Sequence, residues 1–134
     1  MATTFVEAIG SYLQTQALGT LGTDLFIGLL PAAPDACVAL YEGDSDLPIV
    51  TAGATAIAIE IIDLRVVVRV GRDDYATGRD KALAIRTALA GITEQTLSGV
   101  RVLRCASLGW LLAAGNDESD RPHFTVRFRA HVAP

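Results

Sequence analysis

Aromatic residues make up only 6% of the 134 positions, with a single Trp, so a core built on ring packing is excluded and Ala, Val, Leu and Ile must fill it. Positive charge is also short. Eleven Lys and Arg stand against fifteen Asp and Glu, a formal net charge of -4, which excludes a nucleic-acid binder held by bulk charge and leaves any DNA contact local. There are only two cysteines, Cys37 and Cys105, with no CxxC or Cys/His ligand spacing, so they read as reduced core thiols. No stretch reaches the ~18 consecutive apolar residues of a membrane span, and the first residues, MATTFVEAIGSYLQTQ, carry no basic region. A soluble, cytosolic protein without membrane contact is expected. Phosphate-cradling motifs are missing too: no GxxxxGK[ST] occurs, and no GxGxxG follows a strand.

What is present is aliphatic surface. At 51% hydrophobic, the chain is sized for a single domain over residues 1–134, yet carries more apolar surface than a monomer of that length comfortably hides. Thr4 and Glu7 have capping-box spacing, and Phe5, Ile9, Tyr12 and Leu13 recur at helical intervals, predicting a first helix up to about Leu18. Residues 23–30 (TDLFIGLL) read as a short strand stopped by Pro31 and Pro34. Residues 37–42 (CVALYE) read as the next strand, and 43–48 as an exposed acidic loop.

Residues 54–72 form the longest β-like run, but its apolar parity changes from Ile57, Ile59 and Ile61 to Leu64, Val66, Val68 and Val70. That change predicts a bulge or break near 60–63 and two strand pieces. Asp73 is placed to cap a second helix whose single face is Tyr75, Gly78, Ala82, Ile85 and Leu89, ended by Gly91. After a polar connector, 100–106 reads as a strand and GNDESD, 115–120, as a turn. From Pro122, strict alternation of Phe124, Val126, Phe128, Ala130 and Val132 with polar residues marks a half-buried strand, whose two phenylalanines contribute roughly 1.5–3 kcal/mol each on burial. The expected fold class is α+β: a single domain with a mixed, mostly antiparallel sheet, an N-terminal helix and a second helix packed on the sheet.

No reaction centre emerges from the residue types. Asn116, Glu118 and Asp120 mimic the start of a calcium loop, but Arg121 stands where glycine is needed and no acidic residue closes the loop, so an acidic hairpin turn is the better reading. Ser119, Asp120 and His123 are triad types crowded into one turn, unlike triads assembled from separate elements. His123 and His131 share a strand face but stand roughly 26 Å apart, too far to share a metal. Catalytic, cofactor-binding and metal-binding residues are therefore expected to be none, and cofactors none.

One constellation remains. Arg65 and Arg69 share the polar face of one strand, and Arg127 and Arg129 that of another. Either this is a solvated outer face, or it meets acidic groups of a neighbouring molecule, with Glu42, Asp44, Asp46, Asp117, Glu118 and Asp120 as candidates on two loops. A chain bearing both complements can assemble head to tail into a ring.

Laid out in this order, the chain resembles the tail terminator proteins of long-tailed bacteriophages, also described as minor capsid or tail-completion proteins. The resemblance rests on four blocks: the N-terminal amphipathic helix; LFIGLLPAAPDACVALYEG, 25–43; VVVRVGRDDYATGRDKALAIRTAL, 66–89, with Arg69 and Tyr75; and GNDESDRPHFTVRFRA, 115–130, with Asp117, Glu118, Arg121, Phe124 and Phe128. It implies a non-enzymatic structural role in the virion tail or neck, after assembly in the host cytoplasm. The implied form is a homo-oligomeric ring, a hexamer, on the head-proximal end of the tail tube. Its implied partners are the tail tube protein and a head-completion or connector protein, with DNA passing through the hole without sequence-specific binding. The Ala-rich stretch 51–58 departs from the pattern and is read as an extended hairpin or arm. Rival readings are another neck ring component (a head-completion or stopper protein), a tail tube subunit, or a small cytosolic ligand-binding α+β domain.

Overall fold

The computed structural model describes residues 4–43, 49–50 and 57–133. The acidic loop at 44–48, with Asp44 and Asp46, and the 51–56 part of the Ala-rich stretch lie outside the described residues. Helix α1 (Phe5–Thr15) begins where the capping signal places it: Thr4 Oγ1 accepts from the Glu7 amide at 3.3 Å. It ends three residues earlier than its periodicity suggests. Helix α2 (Tyr75–Ala90) starts after Asp74, not Asp73, and Asp74 makes no side-chain cap bond.

The strands are β1 (Leu25–Ile27), β2 (Cys37–Glu42), β3 (Ile49–Val50), β4 (Ile57–Arg69), β5 (Thr93–Leu97), β6 (Val100–Ser107), β7 (Leu112–Asn116) and β8 (Pro122–Ala133). They form a sheet in the order β1-β2-β4-β8-β6-β5, with β3 on β4 and β7 on β8; β1–β2 is parallel and the other pairs antiparallel. This is the α+β domain expected, with its mixed, mostly antiparallel sheet and both helices against it.

The predicted break in the long β-run is absent. β4 is one strand, paired with β8 from Glu60↔Val132 to Arg69↔His123 without a slip. The parity change arises because the strand meets different surroundings along its length. Its C-terminal half lies between β2 and β8 and buries Leu64, Val66 and Val68 toward the helices, whereas at its start it pairs with β3, and the register irregularity falls there, between Ile49 and Val50. Apolar residues on the other parity at that end are only half-buried at Ile59 and Ile61.

One core sits between the helices and the inner sheet face. Phe5, Ile9 and Leu13 of α1 and Ala82, Ile85 and Leu89 of α2 meet Leu40, Leu64, Val66, Phe124, Val126 and Phe128. Close approach of α2 depends on Gly78, where an added Cβ would stand 2.6 Å from Val70 Cγ2 and 2.8 Å from Phe124 Cε2. Tyr75, expected on the buried face, is half exposed and lays its ring edge-on to Phe124, centroids 4.9 Å apart. Both cysteines are free and buried as expected, and burial pushes the Cys105 thiol up to about 12 and also raises that of Cys37.

Candidate functional site

The helices cover only one side of the sheet, so alternation along β4 and β8 delivers their polar residues to the other, outer face. Register then decides which of them meet. Arg65 lies directly opposite Arg127, Asp63 opposite Arg129, and Arg69 opposite His123. The four predicted arginines do share a face, but they do different things on it.

Arg69 is 2% exposed, covered within its own chain. Its Nε donates to the Asp35 carbonyl at 3.0 Å and its Nη2 to the Pro34 carbonyl at 2.6 Å. It thus tethers the β1–β2 connector across that end of the outer face. Arg121 holds the same connector, donating to the Ala32 carbonyl at 2.6 Å and lying 3.3 Å from Asp35 Oδ1. Sequence reading missed this clamp, because its acceptors are mostly backbone carbonyls in a Pro- and Ala-rich loop with no polar pattern.

Arg129 pairs with Asp63, Nε to Oδ1 at 2.9 Å and Nη2 to Oδ2 at 3.3 Å, the two-pronged geometry that suits guanidinium to carboxylate. Arg65 stacks on the Tyr41 ring at 4.7 Å. Arg127, exposed, makes no ion pair or hydrogen bond from its side chain to any described residue. Two like charges directly opposite one another disfavour the sheet, and among the described residues no carboxylate forms an ion pair with either. Around them is a concavity of about 640 Å³ lined by Glu42, Asp63, Arg65, Leu108, Arg127 and Arg129.

The acidic turn is a hairpin turn joining β7 to β8, as expected, and it is internally braced. Asp117 Oδ1 accepts from the Ser119 amide at 2.9 Å and the Arg121 amide at 3.0 Å, while Oδ2 accepts from Arg121 Nε at 2.8 Å. The amide bonds, the Arg121 amide foremost, and the Arg121 guanidinium hold the Asp117 carboxyl down to about 2. Its carboxylate therefore braces the turn fully above the ordinary value of about 4 and releases it as pH falls through about 2. A carboxyl-carbon NMR titration should place the Asp117 midpoint near 2 in native protein; a midpoint at the ordinary carboxylate value would contradict the bonded geometry. Glu118 and Asp120 remain exposed. His123 Nε2 lies 3.6 Å from Asp117 Oδ2, beyond hydrogen-bond reach.

Beside the arginine face runs an apolar edge. β6 and β7 lie end to end along β8, with 108–111 looping out between them, the Leu108 amide still donating to the Arg127 carbonyl at 2.8 Å. Gly109 takes φ +95° at this loop, a conformation other residues rarely adopt. Arg86 pins the loop from α2, with Nε to Ser107 Oγ at 3.0 Å and its guanidinium over the Trp110 ring. Trp110 and Leu112 are 60% and 63% exposed, and all five residues of β7, LAAGN, are exposed and uncharged. Edge strands in stable monomers usually carry charge or Pro to deter pairing; this one has neither.

Among the described residues, no cluster of three or more His, Cys, Asp and Glu is placed to hold a metal ion, and no helix is long and apolar enough to cross a membrane. Polar side chains gather on one sheet face and on a braced turn of a small α+β domain. The description "Bacteriophage tail terminator protein" fits residues 12–134, and the chain belongs to that family. It is a structural, tail-related phage protein. No curated protein matches it. Among solved structures it is similar to a chain of the "Virion of native gene transfer agent (GTA) particle", with 24% identity, a TM-score of 0.69, and coverage of 97% of this chain and 95% of that one. That likeness is one of fold.

Proposed function

We propose that copies of this chain form a ring, a hexamer, on the head-proximal end of the tail tube, where the ring stops tube polymerisation and offers the surface that joins the head. The observation that carries this reading is the uncovered edge: an uncharged exposed strand that begins at Leu112, with exposed Trp110 just before it, lies beside an arginine-lined concavity. Such a surface is costly in water for a chain that works alone. The net charge of -4 supports passage of DNA through the hole, since a basic channel would hold phosphate through counterion release. The tail tube protein and a head-completion protein are the partners on the two faces of the ring.

Removing the gene from its phage and imaging the particles tests this reading. Overlong, headless tails are the expected result. Normal-length tails with leaking heads would instead make the protein a head-side plug, and purified protein that polymerises into long tubes would make it a tube subunit.

A further inference from the structure

Resting on the ring reading, we infer that the Arg65–Arg127 pair is the receptor for the acidic turn of the next copy, with Glu118 and Asp120 as the entering carboxylates. Of the eight charged candidates among the described residues, the structure engages three internally and places a fourth, Glu42, in the lining of the concavity itself. Arg69 holds the connector, Arg129 binds Asp63, and Asp117 braces its own turn. Among the described candidates, that leaves the exposed cations Arg65 and Arg127 and, on the turn, the exposed anions Glu118 and Asp120, which are complementary.

Their placement requires a second molecule. Arg127 lies five positions into β8 from Pro122, ~17 Å along a strand from the turn that precedes it. Glu118 and Asp120 therefore cannot fold back onto the pair within their own chain. A contact between two different patches of identical chains is heterologous, and it closes into a ring when its rotation permits.

Both sides are organised beforehand, which lowers the ordering cost of contact. Arg65 is stacked on Tyr41, and the concavity leaves room for a turn to enter. On the other side, three hydrogen bonds to Asp117 fix the loop that displays the two carboxylates. Guanidinium groups suit this role because their forks pair with carboxylate through two parallel bonds. Entry of carboxylates also removes the unfavourable Arg65–Arg127 opposition that the isolated sheet carries.

Sedimentation velocity on the purified full chain over a concentration series tests the inference with two variants and their combination. The first is Arg65→Glu with Arg127→Glu. The second is Glu118→Arg with Asp120→Asn, asparagine being chosen because Asp120 sits at φ 59°, a conformation it tolerates. All four residues are exposed, so circular dichroism should report native folding throughout. Each variant alone should associate about tenfold or more weakly than the natural chain, and rising salt should weaken the natural assembly. The chain carrying all four changes should regain association. Unchanged association of the first variant, or failure of the four-change chain to recover, overturns the inference while leaving the ring reading in place. A natural chain that stays monomeric at every concentration, alone and with tail tubes added, overturns the ring reading and this inference with it. Binding of a short DNA duplex that is lost in the first variant overturns the assignment in favour of phosphate.

Discussion

Phe124→Ala is expected to remove about 3–5 kcal/mol of folding stability, a large share of what a domain of this size has in total. The ring is fully buried in β8, at the point where the sheet meets α2. It contacts the Tyr75 ring edge-on, and its Cε2 atom is what a Cβ at position 78 would strike. Truncation therefore leaves a void beneath a helix whose approach is set by Gly78, and the helix cannot settle into it without moving its whole first turn. Urea denaturation followed by circular dichroism reads the loss directly. The same geometry predicts coupling. Gly78→Ala alone gains helix propensity but forces overpacking against Val70 and Phe124 worth about 1–3 kcal/mol. In a chain already carrying Phe124→Leu that penalty should shrink, so the two changes together cost less than their separate costs combined. Strict additivity would mean that the close approach of α2 to β8 is not what Gly78 provides.

Arg69→Ala is the second large expected loss. Two charge-assisted bonds to carbonyls disappear, each worth roughly 1.5–3 kcal/mol where acceptors are left without donors. The damage should be local as well as global, because those carbonyls belong to Pro34 and Asp35 of the connector. Limited proteolysis should cut the variant at residues 31–36 under conditions that spare the natural chain. Arg69→Lys should recover only part of the loss, since one ammonium cannot reproduce the fork that reaches two successive carbonyls. Equal stability of Arg69→Ala and the natural chain would show that the connector is held by Arg121 alone.

Much of the fold was legible because burial imposes periodicity. α1, the inward face of α2 and the twelve-residue β8 each repeat apolar residues at the spacing their geometry dictates. β5 and β7 escaped because neither has a well-buried face: TEQTL and LAAGN show no alternation, and only their neighbours make them strands. β4 misled for a subtler reason. Its parity change resembles a slip in register, but a continuous strand that passes from one environment to another leaves the same trace. At the site, sequence identified the arginine face without its division of labour. Alternation tells which residues share a side, whereas the cross-strand register that sets Arg65 against Arg127 and Asp63 against Arg129 is a tertiary fact. The tether made by Arg69 was illegible because nothing in its own strand announces that a distant loop lies over it.

The long unbroken ladder between β4 and β8 also constrains when the chain can fold. Its partners, Arg69 with His123 at one end and Glu60 with Val132 at the other, are far apart in the chain, so the central pairing closes a long loop and is kinetically late. During synthesis, the inner faces of α1, β2, β4 and α2 all emerge before the strand that completes their core. A nascent chain that has not yet delivered β8 past the ribosome exit holds Leu64, Val66 and Val68 uncovered, which makes that interval its window of exposure to chaperones and to aggregation.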